Sequence, residues 1–517
     1  MNISKSLYIS GVFVRYFSFF LLLPLASIFF TNYSLKSFLS NDFLIKSLPF
    51  IYSSIIALIF SLIITNYSQK KMNFNDSLGR KDGFLIASLI WIFAGFFGAL
   101  PYYFSSSLIP NFFSEVEPLF KNNIFINSFF ESVSGITTTG ASVFSNFPNI
   151  DQHYMIIFWR SLSQWLGGIG IILLVLIIFP KISVGIMQLA SDQEGTGPQK
   201  ERITPKLYQT GLTLLFIYLG ITLLLIFVLY FIGNLSSFDS IVHSFSTVSS
   251  GGFSSYELNV EGMDNFKVEM IILIFMFLSG ISFAMFFYLI SANFNKIYEN
   301  TEFKAFVLIN ILLICLFLLI LNNNNIFDSL TETLRYGAFQ AVSVSTGTGF
   351  TSYNFNQWPG DAKILLLIIL IIGGSSGSTT GGVKIIRLVI ILKSIYLEIR
   401  RRISPNVIYT VKINNKSLDD EVVSGVMSFL FLFLALTIFS IILLSLLEPN
   451  VSITTAASAV LSSISNLGPG FEGINPHSSY NFFSSSSKVL LTFLMLLGRL
   501  EIFTMIALLL PSFWRKY

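Results

Sequence analysis

The sequence predicts an all-α polytopic membrane protein, with four pseudo-symmetric helix, pore-loop, helix repeats around one pore and two extra transmembrane helices before them. Three observations predict it: a composition that soluble domains do not have, ten apolar runs of membrane length, and four connecting segments that resemble one another.

Of the 517 residues, 53% are hydrophobic and only 11% are charged, and the mean hydropathy is +0.73. Soluble domains carry roughly 25% charged residues. A bilayer core takes about 20 apolar residues per helix, so the organising unit is the span and not the soluble domain. The single cysteine, Cys315, excludes an intrachain disulfide and any metal cluster of several cysteines. His153, His243 and His477 are scattered, and no HExxH, CxxC, GxSxG or GxxxxGKS/T pattern occurs. Enzyme chemistry therefore has almost no foothold, and the small net charge of +4 gives no reason to expect nucleic acid.

The first apolar run, Leu7 to Phe30, is long for a signal peptide and lacks a small-residue cleavage site, so it reads as a retained helix. Apolar runs follow near 47–66, 83–104, 153–180, 206–232, 268–292, 303–321, 361–400, 423–447 and 488–511, ten crossings in all. An even number places both termini on one side. The segments on that side carry 21 of the 31 lysines and arginines, including Lys70, Lys71, Arg80, Lys81, Lys181, Lys200, Arg202, Lys206 and Arg400 to Arg402. The opposite segments carry seven. This asymmetry predicts cytoplasmic termini. The division expected is 1–70 for the two extra helices, then repeats over 83–180, 203–292, 303–402 and 421–517.

Within each repeat the two spans are joined by a polar, glycine-bearing connector: Glu131 to Ser142, His243 to Ser254, Gln340 to Thr351, and Ala459 to Gly470. Aligned on Gly140, Gly252, Gly349 and Gly468, all four have a serine six residues earlier (Ser134, Ser246, Ser343, Ser462). All four also have a hydroxyl three residues earlier (Thr137, Ser249, Thr346, Ser465). One such loop alone is ordinary packing or turn chemistry. Four in register are a repeat.

Non-helical backbone at membrane depth is tolerated only inside protein or against a watery cavity, so four such loops imply a shared cavity. A short helix ending before each glycine would aim its partly negative C-terminus at the membrane centre, which favours a cation. Glycine then lets carbonyl oxygens face the axis, where rings of carbonyls replace an ion's hydration shell. No ring of acidic residues accompanies the loops, so a monovalent cation fits best.

These loops, together with Trp165 to Gly170, Gly373 to Arg387 and Gly498 to Glu501, resemble the Trk/Ktr/HKT superfamily of potassium transporters, and within it TrkH-like subunits. The resemblance spans nearly the whole chain. It implies potassium as the transported ion, held by carbonyls of Thr138, Thr139 and Gly140; Ser250, Gly251 and Gly252; Gly347, Thr348 and Gly349; and Asn466, Leu467 and Gly468. Gly140 is similar to the potassium-permeable members, whose sodium-selective relatives carry serine there. The resemblance also implies a homodimer in the lipid bilayer of a bacterial inner membrane and a separate cytosolic nucleotide-binding regulatory subunit. No dinucleotide motif lies in this chain, and no organic cofactor is expected in it.

The segment Gly373, Gly374, Ser375, Ser376, Gly377, Ser378, Thr379, Thr380, Gly381, Gly382 interrupts its span after about eleven apolar residues, roughly 16 Å of helix and so near the midplane. It reads as a gate. Arg499 sits within the last span, where an unpartnered charge costs at least ~2.5 kcal/mol, so it should bind carbonyls or hydroxyls of that segment. Glu131 and His243 are read as opening the first and second pore helices, without an assigned role. The cluster of Lys393 and Arg400 to Arg402 is a topology signal or a docking point for the regulator. A cation-coupled symporter (sodium or proton) and a sodium-permeable relative remain alternatives to simple potassium conduction. A membrane transferase or a non-conducting scaffold has no supporting constellation.

Overall fold

The computed structural model describes residues 1–31, 41–72, 78–108, 119–120, 122–144, 147–148, 150–170, 207–404, 410–414 and 416–515. The second half of the fourth apolar run, with Lys181, Lys200, Arg202 and Lys206, lies outside the described residues.

The chain is built almost wholly from helices, as its apolar runs dictate. The first two, α1 (Ile3–Phe20) and α2 (Asn41–Gln69), pack against each other and against α3 (Arg80–Ser107). Small residues bring these backbones close. Gly11 lies against Ile64 and Thr65, Ser61 Oγ donates to the Gly11 carbonyl at 2.6 Å, and Arg15 reaches Thr65 Oγ1 at 2.8 Å. Within α3, Gly95 and Gly98 admit the first pore helix and the next span: Ser132 Oγ donates to the Gly95 carbonyl and Trp159 Nε1 to that of Gly98.

Four shorter helices, α4 (Ile124–Ile136), α7 (Ser237–Val248), α12 (Leu330–Ser345) and α16 (Ile453–Ser465), occupy the four connectors. The last three begin at serine caps: Ser236, Ser329 and Ser452 accept from the amides of Asp239, Glu332 and Thr455. Around them stand α5 (Ile150–Trp165), α6 (Leu207–Phe231), the pair α8 (Phe266–Ser279) and α9 (Phe283–Ile290), and α11 (Thr301–Asn323) after the short α10 (Phe294–Glu299). Beyond these come α13 (Gly360–Ile369), α14 (Ile385–Ile403), α15 (Asp420–Leu447), and the pair α17 (Ser485–Arg499) and α18 (Phe503–Leu509), closed by α19 (Pro511–Trp514). A two-residue ribbon pairs Lys412–Ile413 with Lys416–Ser417.

Six helices among the described residues are long and apolar enough to cross a membrane. Counting each of two bent pairs as one span gives up to eight, and the 153–180 and 361–400 runs are the other two of the ten expected. The 268–292 and 488–511 runs are each bent, by 94° and 120°, at breaks of three residues. The 361–400 run is open between Ile369 and Ile385, and the 153–180 run becomes a π-turn at Leu166–Gly170. Apolarity registers length and not continuity, so the sequence showed only the longest of these breaks. Large side chains such as Phe216, Leu308, Phe431 and Leu446 point outward, the mark of a lipid-facing surface, whereas serines and threonines fill the interior.

Buried ion pairs join neighbouring repeats. Arg335 at the pore helix α12 holds Glu269 of α8 with two parallel bonds of 2.6 and 2.7 Å, and Glu269 is 1% exposed. Arg335→Ala is expected to strand that carboxylate and destabilise the protein by roughly 3 kcal/mol, which a thermal melt of the detergent-solubilised protein reads. A melt unchanged from that of the unaltered chain would refute it.

Candidate ion pathway

Each pore helix delivers its last carbonyls to a loop of the same backbone form. The chain turns into the left-handed region at Thr138, Ser250, Gly347 and Asn466 (φ 56°, 55°, 66° and 54°), and again at Gly140, Gly252, Gly349 and Gly468 (φ 81°, 76°, 79° and 96°). The residue between donates its amide to the serine carbonyl five residues back: Thr139 to Ser134, Gly251 to Ser246, Thr348 to Ser343 and Leu467 to Ser462, at 2.8 to 2.9 Å. Holding Thr138, Ser250 and Asn466 left-handed is a strained choice that the surrounding structure must enforce.

The four loops close into a ring. A side chain on Gly140 would collide with the Gly251 carbonyl oxygen, one on Gly252 with that of Thr348, one on Gly349 with that of Leu467, and one on Gly468 with that of Thr139. Each filter glycine thus faces the carbonyl just before the glycine of the next loop, in the order 1, 2, 3, 4 and back to 1. Of the twelve residues named from the sequence, Thr139, Gly140, Gly251, Gly252, Thr348, Gly349, Leu467 and Gly468 meet in this ring.

Their supports are less uniform than the repeat suggested. Ser134 and Ser343 hold the carbonyls of Ala141 and Phe350, whereas Ser246 bonds Ser161 and Ser462 takes the Gly468 carbonyl. Thr137 and Thr346 bond the threonines two residues on, while Ser465 Oγ has no partner among the described residues. Gln164 donates to the Gly251 carbonyl at 2.5 Å and accepts from the Phe253 amide at 3.1 Å. Asn259 donates to the Gly252 carbonyl, and Asn466 donates to Thr139 Oγ1. Gln164, Asn259 and Tyr480 were not foreseen, because single polar residues outside the repeated pattern carry no signal of their own.

Glu131 and His243 do not open their helices. They are the eighth and seventh residues of α4 and α7, on the buried side. Glu131 accepts from Arg160 Nε at 2.9 Å and from the Val143 amide at 3.0 Å, and His243 bridges the Asp239 carbonyl and Ser254 Oγ. Both brace the chain as it leaves the filter. Each helix begins nearly two turns upstream of these residues, at Ile124 and Ser237.

Above the ring lies an open vestibule that Gly140, Gly252, Gly349 and Gly468 line, with Arg160, Tyr256, Glu257 and His477. Burial, reinforced by the Asp239 carboxylate, pushes the Tyr256 phenol up to about 12, so it remains a neutral donor there. Thr138 Oγ1 and Asn466 Oδ1 are buried without hydrogen-bond partners among the described residues.

The Gly373 to Gly382 segment crosses beneath the ring. It leaves α13 through Ile372, which pairs in parallel with Val383, and touches repeats 2 and 4 as well as its own. Ser375 N donates to the Gly280 carbonyl and Phe283 N to that of Gly377, which satisfies the backbone freed at the α8–α9 break. Thr379 Oγ1 meets Ser250 Oγ at 2.9 Å and donates to the Val248 carbonyl at the end of pore helix α7. Gly381 packs on the Ser465 carbonyl. Glu302, buried at the start of α11, accepts from Ser376 N.

Arg499 ends α17 and binds carbonyls as expected: Thr379 at 2.8 Å, and also Gly167 and Gly168 at 2.6 and 2.5 Å. Glu501 holds Arg387 at 2.7 Å. Beside the segment a second, smaller pocket is lined by Lys384, Arg387, Arg499 and Glu501.

Known proteins share this design. A family model described as TrkH, cation transport protein, matches residues 50–516. The Trk system potassium uptake protein TrkH of Salmonella typhimurium is 35% identical over 432 residues, 83% of this chain and 85% of that protein. The TrkG protein of the Trk potassium uptake system in Escherichia coli is 32% identical over 83% of this chain and 84% of its own. The crystal structure of the potassium transporter TrkH from Vibrio parahaemolyticus superposes with a TM-score of 0.82 at 29% identity, each chain covered in full. The chain belongs to the TrkH family of cation transport proteins and is a transporter, not an enzyme.

Proposed function

We propose that this protein takes up potassium through the four-loop ring, with the Gly373 to Gly382 segment as its gate. The observation that carries this reading is the ring closure itself: four glycines, each seated on the carbonyl of the next loop, with four pore helices ending at the same point. Helix C-termini and carbonyls favour a cation, and carbonyls suit one that sheds water readily. The related proteins are named for potassium uptake, which agrees with this chemistry. Potassium is here the substrate. Both termini are taken as cytoplasmic in a bacterial inner membrane, with a homodimer as the assembly and a separate nucleotide-binding protein as the regulator. Reversal potentials under independent sodium, proton and potassium gradients separate a channel from a coupled symporter.

Growth of an uptake-deficient host on low potassium tests the function directly. Gly140→Ser is expected to lower potassium over sodium discrimination, because its side chain meets the Gly251 carbonyl. Paired flux measurements decide this, and unchanged ratios in both Gly140→Ser and Gly349→Ser would remove these loops from the filter.

Arg499→Ala, or deletion within Ser375 to Thr380, is expected to raise potassium flux by about tenfold, the factor for losing one charged hydrogen bond worth ~1.5 kcal/mol in the closed state. Flux abolished in folded Arg499→Ala would assign the arginine to conduction and defeat the latch. A topology reporter fused at Tyr517 should act as a cytoplasmic fusion; activity only on the far side would overturn the orientation.

A further inference from the structure

At the level of the filter glycines the four loops do not offer equal oxygens. The Gly468 carbonyl accepts from Ser462 Oγ and from the Tyr480 phenol, both at 2.7 Å. Two donors occupy both lone pairs of a carbonyl. In loops 1 and 3 the corresponding serine reaches one residue further, to Ala141 and Phe350, and the Gly140 and Gly349 carbonyls accept no hydrogen bond among the described residues. In loop 2 the Gly252 carbonyl takes one long bond, 3.2 Å from Asn259 Nδ2, and keeps a lone pair. The ring order sets loops 1 and 3 opposite each other.

The difference traces to one residue. Pro469 follows the glycine of loop 4, where the other loops have Ala141, Phe253 and Phe350. Proline restricts the conformation of the residue before it, and the φ of Gly468, 96°, departs from the 76° to 81° of the other three. Tyr480 is placed to exploit this. Its amide donates to the Ser142 carbonyl of loop 1 at 2.8 Å, its ring packs on Phe130 and Phe483, and the residue is 3% exposed. The phenol is therefore held from the neighbouring loop and aimed at Gly468. Burial raises its titration, so it stays a donor.

Resting on the cation-filter reading above, we propose that the uppermost ion site is a diagonal clamp formed chiefly by the Gly140 and Gly349 carbonyls, with Tyr480 the specificity-determining residue that keeps the fourth loop out of it. An ion there retains more of its hydration water than in a full ring of four carbonyls. This level binds loosely and admits ions readily. Dehydration, and with it discrimination, falls to the Thr139, Gly251, Thr348 and Leu467 carbonyls one residue deeper.

The full chain in proteoliposomes tests this with potassium, rubidium and sodium as the probes. In Tyr480→Phe the Gly468 carbonyl regains a lone pair. The potassium concentration for half-maximal flux should fall by about fivefold, the equivalent of one hydrogen bond of ~1 kcal/mol. The preference for potassium and rubidium over sodium should rise, and the maximal rate should not. Ser462→Ala removes the other donor and should shift both quantities in the same direction, which keeps the test available if either variant folds poorly. Half-saturation and ion ratios unchanged in the folded variants would overturn the clamp. So would a loss of maximal rate equal for all three ions, which marks a tyrosine that only supports the loop. Gly140→Ser in the same assay separates the two readings: altered ratios there with none in Tyr480→Phe defeat the clamp alone, and unaltered ratios in both defeat the filter as well.

Discussion

Backbone that leaves the helix at membrane depth must find its hydrogen-bond partners within the protein, because lipid supplies none. The rest of this structure depends on that constraint. Each filter loop returns an amide to its own pore helix, and its next turn rests on the carbonyl of the following loop. No loop is satisfied alone, so the ring assembles as a unit. The segment beneath it obeys the same rule from the other side. The backbone opened at Gly280 is closed by Ser375 and Gly377, and the Thr379 and Gly167 carbonyls are closed by Arg499.

The arginines have a common place in this scheme. Arg160 in repeat 1 reaches the Ser254 carbonyl of repeat 2, Arg335 in repeat 3 pairs with Glu269 of repeat 2, Arg387 in repeat 3 pairs with Glu501 of repeat 4, and Arg499 in repeat 4 returns to Gly167 of repeat 1. Each boundary between repeats therefore has at least one cation across it. A planar guanidinium suits the position, since it can satisfy several acceptors at once and holds its charge when buried. Such contacts specify which repeat meets which, a role distinct from net stability.

Duplicated sequence has not produced equal quarters. The second span is interrupted in repeats 2 to 4 by different means: a three-residue break at Gly280, a long segment from Leu370 to Lys384, and left-handed turns at Glu501 and Ile502; in repeat 1 its described part ends in a π-turn at Leu166–Gly170. Only the interruption in repeat 3 is long enough to lie under the ring and reach repeats 2 and 4. The same divergence appears above it, where Pro469 follows Gly468 and Tyr480 donates to the Gly468 carbonyl, as in no other loop among the described residues.

The sequence by itself determined what period and composition can encode. Apolar runs located the spans, and the serine, hydroxyl and glycine spacing singled out the four loops, since left-handed turns and close carbonyl contacts favour glycine at Gly140, Gly252, Gly349 and Gly468. The ten-glycine-and-hydroxyl segment before Val383 marked a break, and a charge inside an apolar run marked Arg499 as a residue needing acceptors. Only the tertiary structure decided who supplies them. That Gln164 holds Gly251, that Tyr480 holds Gly468, and that Arg499 spans Thr379 and Gly167 are contacts between residues 12 to more than 300 positions apart. The bends at Gly280 and Glu501 were hidden for a related reason: hydropathy measures transfer of side chains into lipid, and a backbone turned through 94° or 120° with its polar groups satisfied elsewhere has the same hydropathy as a straight helix.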